Sequence, residues 1–184
     1  MCSFKRIAVS NRGLCPRPLP EQVRRLAGRV DFFLLREKDL AEAEYEKLAA
    51  EVQAACRESG ITLICHTFTA AAARIGCGAI HLPFEAFMKQ RAELEGFSLR
   101  GVSVHTLEEG RQVQNAGADY VTFSPIFETA CKPGAPAKGT DTLEQFCREM
   151  RIPVYALGGI TEKNEDLVKQ AGAAGACRMS DFMK

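Results

Sequence analysis

Thr106-Leu107-Glu108-Glu109-Gly110-Arg111-Gln112-Val113-Gln114-Asn115-Ala116-Gly117-Ala118-Asp119-Tyr120-Val121-Thr122-Phe123-Ser124 carries the signals that decide the fold of this chain. Thr106 and Glu109 form a capping box, the pair that opens a helix by satisfying its first free amides. The glycine of Ala116-Gly117-Ala118-Asp119 supplies the left-handed turn that ends a helix. Asp119–Ser124 then reads as a short apolar strand. The turn recurs as Gly76-Cys77-Gly78-Ala79 and as Ala171-Gly172-Ala173-Ala174, each time between a helical pattern and a strand.

Working outward, further candidate strands are Arg6–Ser10, Asp31–Arg36, Thr62–His66, Ala79–Leu82, Leu99–Val104, Val154–Gly158 and Gly175–Met179. Between them, apolar residues recur at i, i+3, i+4 and i+7. Val23, Leu26, Ala27 and Val30 do so, as do Tyr45, Leu48, Ala49 and Val52, and Leu143, Phe146, Cys147 and Met150. Asp141 with Glu144 resembles a second capping box. Eight strands alternating with helices predict an α/β fold with a parallel sheet, and that number favours a closed TIM (β/α)8 barrel over an open doubly wound sheet. The 184 residues leave 23 per repeat, so the barrel must be compact. With five residues after Met179, the eighth helix must be truncated. No boundary interrupts the pattern, and residues 1–184 read as a single domain.

Lys and Arg total 24 against 23 Asp and Glu, a net charge of +1. This balance offers no excess of cations for a nucleic-acid or polybasic membrane surface. No apolar run reaches the roughly 20 residues of a membrane span, and Met1–Ser10 lacks the apolar core of a secretion signal. The eight cysteines are scattered, without a Cys-x-x-Cys pair. That spacing suits reduced thiols in a cytoplasmic protein better than a disulfide framework or a metal cluster.

In a barrel of this kind the chemistry sits at the C-terminal ends of the strands. Arg36, Lys38, His66, Ser103, His105, Gly158, Gly159, Met179 and Ser180 fall there, with Arg178 as a further cation. The Pro- and Gly-rich stretch Ser124–Gly139 adds Glu128, Thr129, Cys131 and Lys132. A cationic rim rich in backbone donors suits a phosphorylated ligand, and barrels commonly bind phosphate after strands seven and eight. The bland readings are a solvated charge run for Arg36-Glu37-Lys38-Asp39, a packed strand histidine for His81, and a helix-entry role for His105. His66 ends a strand and faces the expected cavity.

These residues resemble the thiamine phosphate synthase/TenI family. The likeness is carried by Gly101-Val102-Ser103-Val104-His105-Thr106-Leu107-Glu108-Glu109, Ala116-Gly117-Ala118-Asp119-Tyr120-Val121 and Ser124-Pro125-Ile126-Phe127-Glu128-Thr129 with Lys132-Pro133-Gly134. Ile152-Pro153-Val154, Leu157-Gly158-Gly159-Ile160-Thr161, Leu35-Arg36-Glu37-Lys38-Asp39 and Ile80-His81-Leu82 extend it. It implies a TIM barrel whose partners are small phosphorylated thiazole and pyrimidine ligands, in members that often form homodimers. In the synthases a pyrimidine pyrophosphate is joined to a thiazole phosphate, with Mg²⁺ and cations helping pyrophosphate leave. On that pattern Arg36, Lys38 and Lys132 match the pyrophosphate grips, and Ser103 a pyrimidine-side polar group. Thr129, Gly159, Met179 and Ser180 match the thiazole phosphate site.

Several positions depart from the pattern. His66-Thr67 stands where the synthases carry Asn-Asp, and Phe84-Glu85-Ala86 where they carry Gln-Glu-Asp, so both magnesium aspartates are missing. Leu34 replaces a glutamine and Cys131 a threonine. The TenI tautomerases lack the magnesium pair too, but Pro125 stands where they have their acid–base histidine. The departures favour a TenI-like enzyme that moves a proton on a phosphorylated heterocycle. His66 is then the substitute acid–base, with Glu128 second and Lys132 assisting, and no metal or other cofactor is required. The alternatives are a synthase with altered metal ligands, from Glu85 or Asp39 and using Mg²⁺, and a non-catalytic ligand-binding regulator of thiamine metabolism.

Overall fold

The computed structural model describes residues 3–129, 134 and 136–184. The strands are β1 (Lys5–Val9), β2 (Phe32–Leu35), β3 (Thr62–His66), β4 (Ala79–Pro83), β5 (Leu99–Val104), β6 (Tyr120–Phe123), β7 (Val154–Leu157) and β8 (Gly175–Arg178). All pair in parallel with their sequence neighbours, and β8 returns to β1 to close the barrel. Every expected strand is present, with ends displaced by at most one residue.

The helices are α1 (Leu19–Arg25), α2 (Glu42–Ser59), α3 (Thr69–Arg74), α4 (Phe84–Lys89), α5 (Leu107–Asn115), α6 (Gly139–Glu149), α7 (Glu165–Gln170) and α8 (Ser180–Met183). The short chain closes a full barrel because α3, α4 and α7 have six residues each and α8 only four. The eighth helix, α8, spans Ser180–Met183.

Alternation along the strands builds two apolar layers. Ile7, Val9, Leu34, Ile64, Tyr120, Tyr155 and Cys177 fill the barrel interior. Their strand neighbours Ala8, Phe33, Leu35, Ile80, Leu82, Val121 and Ala176 face outward, onto the helices. Tyr45, Ala49 and Val52 of α2 and Leu143 and Phe146 of α6 complete the outer layer, with the Phe146 ring stacked on Phe123 at 4.0 Å. Gly110 lies inside α5 because a Cβ there would meet Phe146 Cζ at 2.8 Å.

The capping box of α5 forms as expected, with Thr106 Oγ1 accepting the Glu109 amide at 3.1 Å. Gly76, Gly117 and Gly172 all take positive φ, of 67°, 91° and 86°, as the turn motif requires. Two helix expectations need correction. The Val23–Val30 pattern does not make one helix: α1 stops at Arg25, and Gly28 at φ 72° redirects the chain toward β2, although Val23, Leu26 and Val30 are buried. Asp141 does not cap α6 either. That helix begins two residues earlier, at Gly139, so Asp141 lies in its first turn, where it favours the helix dipole.

The thiols of Cys15, Cys56, Cys65, Cys77, Cys147 and Cys177 are free, four of them buried; Cys2 lies outside the described residues. No described helix is long and apolar enough to cross a membrane.

Candidate active site

A cavity of about 650 Å³ opens at the C-terminal ends of the strands. Its size suits a small-molecule ligand site. Twelve of the expected residues line it: Arg36, Lys38, His66, Ser103, His105, Glu128, Thr129, Gly158, Gly159, Arg178, Met179 and Ser180. The two others, Cys131 and Lys132, lie outside the described residues.

The run after β2 divides its charges. Arg36 and Lys38 line the cavity, while Glu37 and Asp39 turn to Arg12. Glu37 is buried and accepts Ser10 Oγ at 2.6 Å and Arg12 Nε at 3.1 Å. Ser10 Oγ also accepts the Arg36 amide at 2.8 Å, which fixes the start of the loop. A uniformly solvated run would show no such division, so the loop is built to present its two cations.

The cavity floor is polar and uncharged. His66 and His81 are 4% and 1% exposed. His66 Nδ1 lies 2.6 Å from Thr67 Oγ1. Burial first, then the neighbouring His81, Lys38 and Arg36, pushes the His66 pKa down to about 2. Burial, with Lys38 behind it, pushes His81 down to about 3. Both imidazoles are therefore neutral at physiological pH. His81 is indeed packed, but it also lines the cavity, with Nε2 2.8 Å from Ser103 Oγ and Nδ1 3.0 Å from the Tyr120 hydroxyl. Thr122 completes this cluster with a 3.2 Å bond to Ser103 Oγ. Sequence reading missed His81 and Thr122 as site residues. Strand alternation carried the signal: Ile80 and Leu82 face outward, so His81 between them faces in. His105 combines a helix-entry role with the rim: its amide donates to Glu109 at 2.5 Å, and Nδ1 lies 3.0 Å from the Ser124 carbonyl.

The Gly158-Gly159 turn after β7 has a structural reason beyond anion approach. Both take positive φ, of 102° and 64°. A Cβ on Gly158 would meet Pro125 Cα at 2.8 Å, and one on Gly159 would meet Phe127 Cβ at 2.7 Å and clash with the Glu128 carbonyl. The segment after β6 rests on this turn, with Ile126 N on Leu157 O at 3.0 Å and Phe127 N on Gly158 O at 3.1 Å. The glycines thus join two walls of the cavity. Arg178 corrects an expectation. It borders the cavity, but its buried guanidinium lies 3.6 Å from Glu165 and 3.9 Å from Asp181 and stacks on Phe182 at 4.1 Å. It is a buried arginine on the lining rather than an exposed rim cation, and its Nε has no hydrogen-bond partner among the described residues.

A magnesium site of the family's kind does not fit these residues. Thr67 and Ala86 offer no carboxylate, and Glu85 is exposed away from the cavity lining. Asp39, the other candidate substitute, is paired with Arg12 at 2.5 Å. The described carboxylates on the lining are Glu128 and Asp181, and among the described residues no cluster of three or more His, Cys, Asp or Glu converges to hold an ion. Thr67 itself has φ 70°, a left-handed conformation that is costly for a β-branched residue.

Comparison with known proteins agrees with this architecture. The TMP-TENI family model, described as thiamine monophosphate synthase, matches residues 7–182. Thiamine-phosphate synthase of Syntrophomonas wolfei is 34% identical over 180 residues, covering 95% of this chain and 86% of that protein. The enzyme of the same name from Geobacillus kaustophilus is 36% identical over 162 residues, 84% of this chain and 73% of that one. Among solved structures, thiamine phosphate pyrophosphorylase from Pyrococcus furiosus superposes with a TM-score of 0.83 at 24% identity, over 96% of this chain and 86% of the other, a likeness of fold. With its barrel, its strand-end cavity and a match over nearly its whole length, the chain belongs to the thiamine monophosphate synthase (TMP-TENI) family.

Proposed function

We propose that the protein is a transferase that joins a pyrimidine pyrophosphate to a thiazole phosphate, forming thiamine phosphate. The observation that carries this reading is the pairing of cations with a neutral floor. Arg36 and Lys38 line the cavity together with two imidazoles whose pKa values lie at about 2 and 3. In the reaction, the bond from the pyrimidine methylene carbon to the pyrophosphate oxygen breaks, and the electron pair leaves with pyrophosphate. The thiazole nitrogen then supplies the pair for the new carbon–nitrogen bond. No proton needs to move, so a floor without a titrating group is adequate. What the step needs is charge stabilisation on the leaving group, which the reading assigns to Arg36 and Lys38, with Lys132 as the third cation. Ser103 contacts the pyrimidine, and the Gly159 turn, Thr129, Met179 and Ser180 hold the thiazole phosphate. Because Thr67 and Ala86 stand at the family's magnesium positions and no cluster of three or more potential ligands converges among the described residues, no step is assigned to a protein-held magnesium ion.

The relatives support the same choice, since those at 34% and 36% identity are named thiamine-phosphate synthases. The proton-moving reading that the sequence departures favoured has less support. A general base works best with a pKa near the operating pH, and His66 is held far below it; Pro125, at the tautomerase histidine's position, has nothing to titrate. The two readings separate in one experiment. The protein is incubated in D₂O with the thiazole phosphate tautomers, and the pyrimidine pyrophosphate is then added under NMR observation. Pyrophosphate release without prior deuterium exchange supports the transferase; exchange or tautomer conversion without coupling overturns it.

A further inference from the structure

The geometry points to Tyr120, His81 and Thr122 as positioning residues that commit the Ser103 hydroxyl to donate a hydrogen bond into the cavity, so that the site takes a ligand with an acceptor atom on its ring at that point. Tyr120 is 2% exposed inside the barrel. Among the described residues its hydroxyl has His81 Nδ1 as hydrogen-bond partner, at 3.0 Å. A buried hydroxyl that donates nothing bears the full desolvation cost of its proton. The arrangement that satisfies it has Tyr120 donating to an unprotonated Nδ1. Burial keeps the imidazole neutral, so its one proton then sits on Nε2.

Nε2 lies 2.8 Å from Ser103 Oγ, so His81 donates to Ser103. Thr122 Oγ1 donates to the same oxygen at 3.2 Å. A hydroxyl oxygen accepts two bonds and donates one. Both acceptor positions of Ser103 are therefore filled from the wall, and its remaining capacity is a donor. Ser103 is half-buried on the cavity lining, so that donor is available to a ligand. The opposite tautomer would remove Nδ1 as the acceptor of the Tyr120 proton and make Ser103 donate to His81 instead.

Gly101 is part of the same device. A Cβ there would clash with the Tyr120 ring and hydroxyl and come within 2.5 Å of His81 Nδ1. The missing side chain makes room for the Tyr120–His81 pair. A heteroaromatic ring with an in-plane nitrogen meets the requirement, whereas a carbocyclic ring of the same shape does not. That substrate class rests on the transferase reading; the proton arrangement does not.

Two measurements test this. In the ¹⁵N spectrum of histidine-labelled protein near neutral pH, His81 is expected to show a protonated Nε2 and a pyridine-like Nδ1. A proton on Nδ1 overturns the proposal whatever the protein catalyses. Binding of a pyrimidinylmethyl pyrophosphate is then compared with that of benzyl pyrophosphate, which lacks ring acceptors. Tyr120→Phe is expected to lower the preference for the pyrimidine by about threefold to tenfold, the loss of one hydrogen bond, while benzyl pyrophosphate binds as before. An unchanged preference overturns the proposal. Should Tyr120→Phe fail to fold, Ser103→Ala gives the same comparison. Binding of neither pyrophosphate counts against the transferase reading alone, because the histidine spectrum still decides the arrangement.

Discussion

The imidazole rings of His66 and His81 lie stacked on adjacent strands, 5.7 Å between centroids and 28° between planes. Burial keeps both uncharged, helped at His66 by the neighbouring His81, Lys38 and Arg36 and at His81 by Lys38. In the unfolded chain both take up a proton as pH falls through about 6.5; in the folded protein they stay neutral down to about 2 and 3. The unfolded state therefore binds more protons throughout this window, and stability falls as pH falls below about 6.5. The slope is up to about 1.4 kcal/mol per pH unit for each histidine. Urea unfolding near pH 7 and near pH 5 checks this, with His66→Gln/His81→Gln as reference. The double variant should lose most of the slope; equal slopes would contradict the account.

Thr67 holds a left-handed backbone beside His66, at the position where the synthases carry a magnesium ligand. Thr67→Gly should release strain on the order of 1–3 kcal/mol, against a loss of about 1 kcal/mol from the freer unfolded chain. The expected net gain is up to about 2 kcal/mol in denaturant unfolding. Destabilisation by this variant would show that the Thr67–His66 hydrogen bond outweighs the strain.

Gly159→Ala should cost about 2–4 kcal/mol, because the added methyl group must displace the segment after β6 and also accept a positive φ. Gly60→Ala is the control: its φ of 67° is similar, but a Cβ there meets nothing within 4 Å. It should cost only about 1 kcal/mol. Equal costs for the two, by chemical denaturation, would mean that the close approach of the two walls does not matter.

Arg36→Ala and Lys38→Ala should each weaken pyrophosphate binding by about tenfold or more, the worth of a charge-assisted contact. Arg36→Ala should change the unfolding free energy by no more than about 0.5 kcal/mol, because its side chain faces the cavity. Calorimetric titration with inorganic pyrophosphate reads the effect, and unaltered affinity in both variants would remove the cations from the site.

Much of this was legible in the sequence for a physical reason. Strands buried on both faces leave short apolar runs, and the turns between helix and strand demand glycine, so Gly76, Gly117 and Gly172 marked the barrel repeat directly. Strand ends then placed Arg36, Lys38, Ser103 and Ser180 on one rim. What could not be read was which neighbours each polar side chain meets across the sheet. His81 looked like an ordinary packed histidine until β5 and β6 brought Ser103 and Tyr120 to its two nitrogens. Arg178 does line the cavity, but only the structure shows it buried, 3.6 Å from Glu165 of α7. The family aspartates missing at Thr67 and Ala86 pointed toward proton transfer, but the His66 pKa depends on burial and on Lys38 and Arg36, which only the closed barrel brings near it.

The most direct measurement is product formation. The purified protein is mixed with pyrimidine pyrophosphate and thiazole phosphate, and thiamine phosphate and pyrophosphate are quantified together. The account predicts that both appear in equal amounts, at a rate that falls in Arg36→Ala. Binding of both ligands by the intact protein with no thiamine phosphate formed would contradict it.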